Sequence, residues 1–335
     1  MHYNGLKTVV GEDIIIQDKR KARDMYEKAL DEKEMKDDVE IYCKLIDIYS
    51  DKATPLYDKA KTDKLLKDVA EKGLKLQKKK KETTKSDSST YVCSDLHGAY
   101  PVYQAIISQL KEKDKLYILG DVIDRGTDGI KILQDVMKRK EKGQVEFLIG
   151  NHELMMIQSL FLANEKVKQD WLSSSNGGNL TLESFEKLKS DEKNKIREFL
   201  LDSYVYKNIE INSQNIHLVH AKSIQDKNDN SNKTVREMLA EGKEKLLGEA
   251  LWTRDADGER PHKNSAKSGI FTVIGHSPTR KNMIEYKNGA LDIDCGAGGD
   301  EIASLVNLTT GKIKYFSVRH ERDKIEKVNN KQQEK

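Results

Sequence analysis

Three short apolar runs in the middle of the chain, Tyr91-Val92-Cys93, Leu116-Tyr117-Ile118-Leu119 and Val145-Glu146-Phe147-Leu148-Ile149, each end in a polar turn instead of continuing as hydrophobic sequence. The turns read Asp95-Leu96-His97-Gly98, Gly120-Asp121-Val122-Ile123-Asp124-Arg125-Gly126 and Gly150-Asn151-His152-Glu153. Apolar runs of this length bounded by turn residues read as strands. Each strand therefore hands its polar residues to the loop at its C-terminal end, where open α/β sheets build active sites. A lone Asp-x-His is a weak signal. Three such strings in order offer oxygen and nitrogen ligands for two adjacent divalent cations, a histidine placed to handle a proton and an arginine placed to hold a phosphate.

The bulk numbers set bounds on this reading. With 335 residues, 36% of them apolar, the chain can bury a full core as one large domain or as a domain with an appendage. Its 59 Lys and Arg against 56 Asp and Glu leave a formal charge of +3, which is no electrostatic signature of nucleic-acid binding. The longest apolar stretches fall far short of the roughly 20 residues that cross a bilayer, so no transmembrane segment is expected. The stretch from Met1 to Gly11 lacks the basic-then-apolar pattern of a secretory leader. Three cysteines, Cys43, Cys93 and Cys295, at unrelated spacings suit unpaired thiols in a reducing, cytoplasmic setting, that of the source cell or of a cell into which the protein is delivered.

Three segments follow from pattern: an N-terminal helical extension and linker over 1–88, a catalytic domain over 89–320 and a polar tail over 321–335. From about Asp18 to Lys81 the chain reads as helices packed in a hairpin or small bundle. Met25, Ala29 and Leu30 share a face, as do Ile41, Leu45, Ile46 and Tyr49, and Leu65, Leu66 and Val69 continue the pattern. Thr54-Pro55 suits a helix start. Lys78 to Lys81 with the Ser- and Thr-rich residues after it reads as a linker. Strands and helices then alternate to about residue 200. Beyond that strands dominate, at Val205 to Ile211, Asn215 to His220, Ile270 to Ile274, Ala290 to Ile293, Ile302 to Leu308 and Lys312 to Val318. The tail has only Ile325 and Val328 as apolar positions.

The motifs continue through Leu218-Val219-His220-Ala221, Trp252-Thr253-Arg254 and Gly275-His276-Ser277. Over about Tyr91 to Val318 the chain resembles the metal-dependent phosphoprotein phosphatases of the calcineurin-like metallophosphoesterase superfamily. Trp171, Asn176-Gly177-Gly178 and the Trp-x-Arg form at Arg254 resemble its bacterial and phage branch. The resemblance implies an αβ-βα sandwich, two central mixed sheets flanked by helices, here with an added N-terminal helical module. It implies one metal held by Asp95, His97 and a bridging Asp121, and a second held by Asp121, Asn151, His220 and His276. The expected cofactors are two divalent ions, manganese first with iron or zinc compatible, since imidazoles favour these over magnesium or calcium. It further implies direct attack on phosphorus by a metal-bridging water, His152 as general acid, Asp124 orienting His152, and Arg125, Arg254 and Asn151 contacting the phosphate.

The expected substrate is a phosphoprotein, at phosphoserine, phosphothreonine or phosphotyrosine. A dinucleoside polyphosphate is the alternative within the superfamily, and Tyr100 and Tyr103, just after the first motif, either contact a base or pack on a helix face. A third reading makes the N-terminal helices a surface for a protein partner, with the other domain a scaffold. Two departures stand out. His220 is followed by Ala221-Lys222-Ser223, which puts a lysine near the site, and the polar segment from Ser223 to Gly248, helical toward its end (Thr234 to Leu247), either borders the substrate groove or is a surface insertion. His217, on the opposite strand face from His220, reads as structural. Asp294 is placed near the site, Asp292 at an edge or surface, and Cys295 reads as a core thiol.

Overall fold

A computed structural model describes residues 23–30 (except 25 and 29), 39–50, 57–72, 88–212, 214–224, 231–254, 271–279, 282–287, 290–299 and 302–320. The chain divides into two compact units, one drawn from Tyr3–Ser86 and the other from Asp87–Lys335.

In the smaller unit, α1 (Val39–Ser50) and α2 (Lys59–Glu71) place Ile41, Leu45 and Tyr49 in one cluster with Tyr26, against which Leu30, Ile48 and Leu65 pack. The i, i+4 spacing of Ile41, Leu45 and Tyr49 puts all three on one helix face. Helix α2 starts at Lys59 because the Asp58 side chain accepts from the Lys61 N–H at 2.9 Å, satisfying an amide with no intrahelical partner. Thr54-Pro55, the expected start, lies outside the described residues. Leu66, expected on the buried face, is 42% exposed, and Val69 is the residue of α2 that is buried.

The larger unit carries two mixed sheets flanked by helices. The first has strand order β11-β10-β1-β2-β3, where β1 (Thr90–Cys93), β2 (Lys115–Ile118) and β3 (Val145–Phe147) run parallel. β10 (Ile302–Asn307) and β11 (Ile313–Ser317) add antiparallel neighbours. Helices α3 (Tyr100–Ile107) and α4 (Gly129–Glu141) make the crossovers between the parallel strands. The second sheet has order β6-β4-β5-β7-β9-β8, built from β4 (Tyr204–Ile211), β5 (Gln214–Val219), β6 (Lys233–Thr234), β7 (Phe271–Ile274), β8 (Glu285–Lys287) and β9 (Ala290–Asp292). β6 and β8 are short edge strands that the apolar pattern does not announce. A bridge between Leu148 and Tyr204, with the Ile149 N–H donating to the Tyr204 carbonyl at 2.9 Å, joins the sheets.

The period of two along each strand builds the layers. Val92, Tyr117, Leu119, Ile216, Leu218, Val273 and Leu291 form one core shared by both sheets, while Cys93, Leu116, Ile118, Val219 and Ile274 belong to the core with the helices. No described helix is long and apolar enough to cross a membrane. Ile325 and Val328 lie outside the described residues.

Candidate metal and phosphate site

The donors sit where the strands end. Asp95 and His97 follow β1, Asp121 follows β2, Asn151 opens α5 (Asn151–Met156) just past β3, His220 follows β5 and His276 follows β7. Backbone bonds staple the first two loops together: the N–H groups of Asp95, His97 and Gly98 donate to the carbonyls of Gly120, Asp121 and Val122 at 3.1, 2.9 and 2.8 Å. Asp95, His97, Asp121, Asp124, Arg125 and His276 all hold positive φ, between 41 and 71°. L-residues adopt that region at a cost, and such strain concentrates where side-chain placement matters more than backbone comfort.

Around Asn151 Oδ1 the donor atoms converge. His220 Nε2 lies 3.0 Å from it and His276 Nδ1 2.8 Å, and Asp121 Oδ2 is 3.4 Å from His220 Nε2. Asp121 Oδ2 also lies 3.7 Å from His97 Nε2 and 3.9 Å from His152 Nε2, so one carboxylate faces two clusters. Asp121, His220 and His276 form one buried group able to hold a cation, and His97, Asp121 and His152 another. Asp95 Oδ2 accepts from the His276 N–H at 3.0 Å and from the Ser94 hydroxyl. Nitrogen and oxygen donors at ligand-to-ligand spacing, buried and sharing a carboxylate, fit divalent metal ions.

The electrostatics are those of a charge-dense cluster of buried side chains. Burial opposes the Asp121 charge, yet the imidazoles of His220 and His152 hold its pKa well below the carboxylate range. Burial likewise opposes the His220 cation, but Asp121 beside it lifts that group to about 10. Burial, followed by the His220 charge, pushes His276 down to about 3, and burial, aided by His152 and Arg125 and opposed by Asp121, holds His97 well below the imidazole range. Asp95 is raised by burial, with His220 opposing and Asp121 adding to the rise.

Second contacts orient the imidazoles. His97 Nδ1 is 3.0 Å from the Ile123 carbonyl and His220 Nδ1 2.6 Å from that of Leu119, leaving each Nε2 toward the cluster. His152 Nδ1 is 2.6 Å from Asp124 Oδ2. The Arg125 guanidinium lies 3.0 Å from His97 Nε2 and 3.3 Å from His152 Nε2. Arg254 is exposed, and its charge helps depress His276. A cleft of about 460 Å³ opens beside these groups, lined by His97, Arg125, Ser175, Asn282, Asp294 and the backbone around Gly298.

The chain belongs to the calcineurin-like phosphoesterase family. Residues 88–306 match that family's profile, a span that contains every donor above. Among curated relatives, this phosphoesterase is 32% identical over 119 residues to the symmetrical bis(5'-nucleosyl)-tetraphosphatase of Buchnera aphidicola subsp. Acyrthosiphon pisum (strain 5A), covering 32% of this chain and 42% of the relative. It thus spans about two fifths of the length of that relative. Similar solved structures include a protein serine/threonine phosphatase from Saccharomyces cerevisiae with similarity to human phosphatase PP5 (TM-score 0.49, 14% identity, 70% of this chain and 81% of that one). Another is the cold-active protein-tyrosine phosphatase of a psychrophile Shewanella sp. (TM-score 0.45, 14% identity, 68% and 82%).

Of the six expected metal-site residues, His97 and Asp121 fall in one of the two buried groups and Asp121, His220 and His276 in the other, with Asn151 Oδ1 against the last two imidazoles. Asp95 is in neither group and accepts from the His276 N–H, while His152, expected as the acid, shares the first group and lies against Asp124, with Arg125 between His97 and His152. The structure also corrects and adds to the reading. Asp292, expected at an edge or surface, is buried, its Oδ1 accepting from the Asp294 N–H at 3.3 Å, because β9 lies between β7 and β8. Lys222 pairs with Glu249 at 3.1 Å. Tyr103 is buried in the core and its hydroxyl donates to Asp135, while the Tyr100 ring lies 3.7 Å from Lys131 Nζ. Cys295 is a buried thiol, and burial pushes its pKa up. His217 pairs with Asn208 at 2.7 Å.

Glu153, quoted in its motif without a role, accepts from the backbone N–H groups of Gly150, Asp121, Val122 and Ile123 at 3.0, 2.9, 2.8 and 3.3 Å. Burial and the Asp121 charge push it up to about 7 against those amides. An acid at the third position of a helix was its available signal, since such a residue reaches back to the amide before the helix.

Proposed function

We propose that the protein is a dinuclear-metal phosphomonoesterase acting on phosphoproteins, with residues 89–320 as its catalytic domain, 1–88 as an appended helical extension and 321–335 as a tail. One observation carries the choice of substrate. Among the described lining residues of the 460 Å³ cleft, Arg125 is the sole lysine or arginine and none is Phe, Tyr or Trp. A single phosphoryl group on a peptide is served by one guanidinium fork in the cleft, with Arg254 outside the lining residues as a second, and by a polar channel for main chain. A chain of four phosphates between two bases asks for several cations and for stacking surfaces, which the described lining residues do not include. Tyr100 and Tyr103 are engaged elsewhere.

Asp95, His97 and Asp121 would hold one ion, and Asp121, Asn151, His220 and His276 the other, with manganese the first choice and iron or zinc compatible. Two such ions, when bound, lower the pKa of an attacking water and neutralise phosphate oxygens. His152 Nε2 gives its proton to the departing ester oxygen as the P–O bond breaks, and Asp124 on Nδ1 keeps that imidazole aimed and favours its protonated form. Burial opposes the charge on His152, but Asp121 and Asp124 raise its pKa overall, in the direction an acid near neutrality requires. Arg125, Arg254 and the amide of Asn151 hold the non-bridging oxygens. A cytoplasmic setting fits the unpaired, buried Cys93 and Cys295.

The relative's name supports a second reading, dinucleoside tetraphosphate hydrolysis. Trp252 is the feature that favours it here: the indole is 40% exposed and 6.2 Å, edge to face, from the His276 ring. Chelator-stripped protein reloaded with manganese is assayed on phosphoserine, phosphothreonine and phosphotyrosine peptides and on a diadenosine tetraphosphate. Metal-dependent phosphate release from peptides, lost in Asp121→Asn, is the expected result. Turnover of the nucleotide alone replaces this reading with the second. Turnover of neither favours a partner-binding role for the N-terminal helices.

A further inference from the structure

Asp124 carries an asymmetry that His152 alone does not explain. Its Oδ2 takes two donors, His152 Nδ1 at 2.6 Å and the indole N–H of Trp171 at 2.8 Å, whereas its Oδ1 is buried without a hydrogen-bond partner among the described residues. With the histidine as sole partner the carboxylate could present either oxygen. The indole, wholly buried at the end of α6 (Glu165–Trp171), singles out one.

The same stretch of chain grips the Asp124-Arg125 backbone. The Asp124 N–H donates to Thr181 Oγ1 at 2.9 Å and the Arg125 N–H to the Gly177 carbonyl at 3.3 Å, which helps hold both residues at positive φ, 68 and 61°. Gly178, at the start of α7 (Gly178–Glu186), lets the backbone close on the indole: a Cβ there would lie 2.5 Å from Trp171 Nε1. The intervening turn is stiffened by Ser173 Oγ and Asn176 Nδ2, which donate to the Asp170 carbonyl at 2.6 and 2.8 Å. A buried indole aimed at one carboxylate oxygen, with a glycine cleared for it, is more than core filling requires.

We propose that Trp171 is a positioning residue for phosphoester cleavage, fixing the Asp124 carboxylate so that His152 Nε2 points at the departing oxygen. This rests on the general-acid role given to His152 above. A residue acting this way matters in proportion to how badly the leaving group needs a proton.

Trp171→Phe keeps the ring and removes the donor. It is compared with the parent on a phosphoserine peptide, whose alkoxide leaves poorly, and on 2,4-dinitrophenyl phosphate, whose phenolate leaves unprotonated. The expected result is kcat lower by about tenfold on the peptide, with KM and the dinitrophenyl rate within about twofold. In a His152→Asn background the same substitution should then cost nothing further, as coupled groups require. Equal losses on both substrates, or additive losses in the double variant, overturn the proposal. If Trp171→Phe does not fold, benzothienylalanine at position 171, a near-isostere without the N–H, takes its place.

A reading independent of turnover comes from the indole N–H resonances, of which a chain with two tryptophans has two. One should be exchange-protected and shift in Asp124→Asn. No shift overturns the contact. If the parent hydrolyses no phosphoester, the function proposed above falls, while the resonance still decides whether Trp171 holds Asp124.

Discussion

The donor loops and the N-terminal helices spend their polar residues in opposite ways. In the loops, Asp95, His97, Asp121, Asp124, Asn151, His152, His220 and His276 are all buried, and each is tied to another side chain or to backbone. In the helical unit, Tyr26, Ile41, Leu45 and Tyr49 fill the inside, and the ion pair between Lys61 and Glu27 stays at the surface. Burying unpaired charge is costly, so a cluster of buried carboxylates and imidazoles persists only where a fold is organised around it. A helix pair needs no more than an apolar stripe. The contrast says where a small change should alter chemistry and where it should alter only stability.

The largest effect is expected at the carboxylate that both clusters share. Asp121→Asn keeps the shape and halves the ligand charge, and it should lower kcat/KM on the preferred phosphomonoester by on the order of 10³-fold, as for removal of a group that stabilises developing charge. Calorimetric titration with manganese should show weakened binding at both sites, since Asp121 Oδ2 faces His97 and His220 alike. Loss at one site only would mean that the carboxylate does not bridge.

Gly150→Ala tests the same region without touching a donor. A Cβ at Gly150 would lie 2.1 Å from Asp121 Oδ1 and 2.5 Å from the Asp121 backbone nitrogen, so Asp121 must shift. A displacement of about 1 Å in a reacting group can cost about 10²-fold in rate, and that is the loss expected in kcat. A variant that turns over normally would show that the loops are looser than their stapled backbone implies.

Leu45→Ala turns to the other region. Leu45 is 1% exposed at the centre of its cluster, and truncating a buried leucine costs about 2–5 kcal/mol. Proteolysis or hydrogen exchange of the helical unit should report that loss, while kcat on the preferred substrate stays within about twofold. A large fall in kcat would break the comparison and tie the helices to turnover.

Legibility in the sequence followed the same divide. The strands feeding the site were visible because apolar runs ended abruptly in donors, and the helix faces because Ile41, Leu45 and Tyr49 repeat at i, i+4. Hidden were contacts that depend on distant chain segments meeting. Nothing near Trp171 in sequence says that its N–H reaches Asp124, 47 positions away, and Glu153 reads as a helix-start acid until its oxygens are seen on the Asp121 loop. Asp292 failed for a related reason: a short strand with charged residues reads as an edge until β8 covers it. Leu66 failed because successive helix residues point about 100° apart, so with Leu65 and Val69 inward its side chain turns out.

The smallest effect is expected at the surface ion pair of the helical unit. Lys61 Nζ lies 2.8 Å from Glu27 Oε1 and also donates to the Tyr49 hydroxyl at 2.9 Å, and the same hydroxyl donates to Glu27. The hydrogen bond to Glu27 raises the Lys61 pKa. For Glu27, burial opposes the charge but Lys61 and Tyr49 lower its pKa overall. A raised lysine stabilises below its unfolded pKa and loses that contribution as pH rises through the folded value. A lowered glutamate stabilises above its unfolded pKa and loses it as pH falls through the folded value. The pair should therefore be at full strength between about pH 5 and 10 and fade on either side. With side chains 48% and 39% exposed, solvent screens it, so a double-mutant cycle of Lys61→Met and Glu27→Gln should give a coupling of about 1 kcal/mol or less, weaker in high salt. A coupling of several kcal/mol would mean that the triad with Tyr49 behaves as a buried network, and the helical unit would then resemble the donor loops more than the comparison allows.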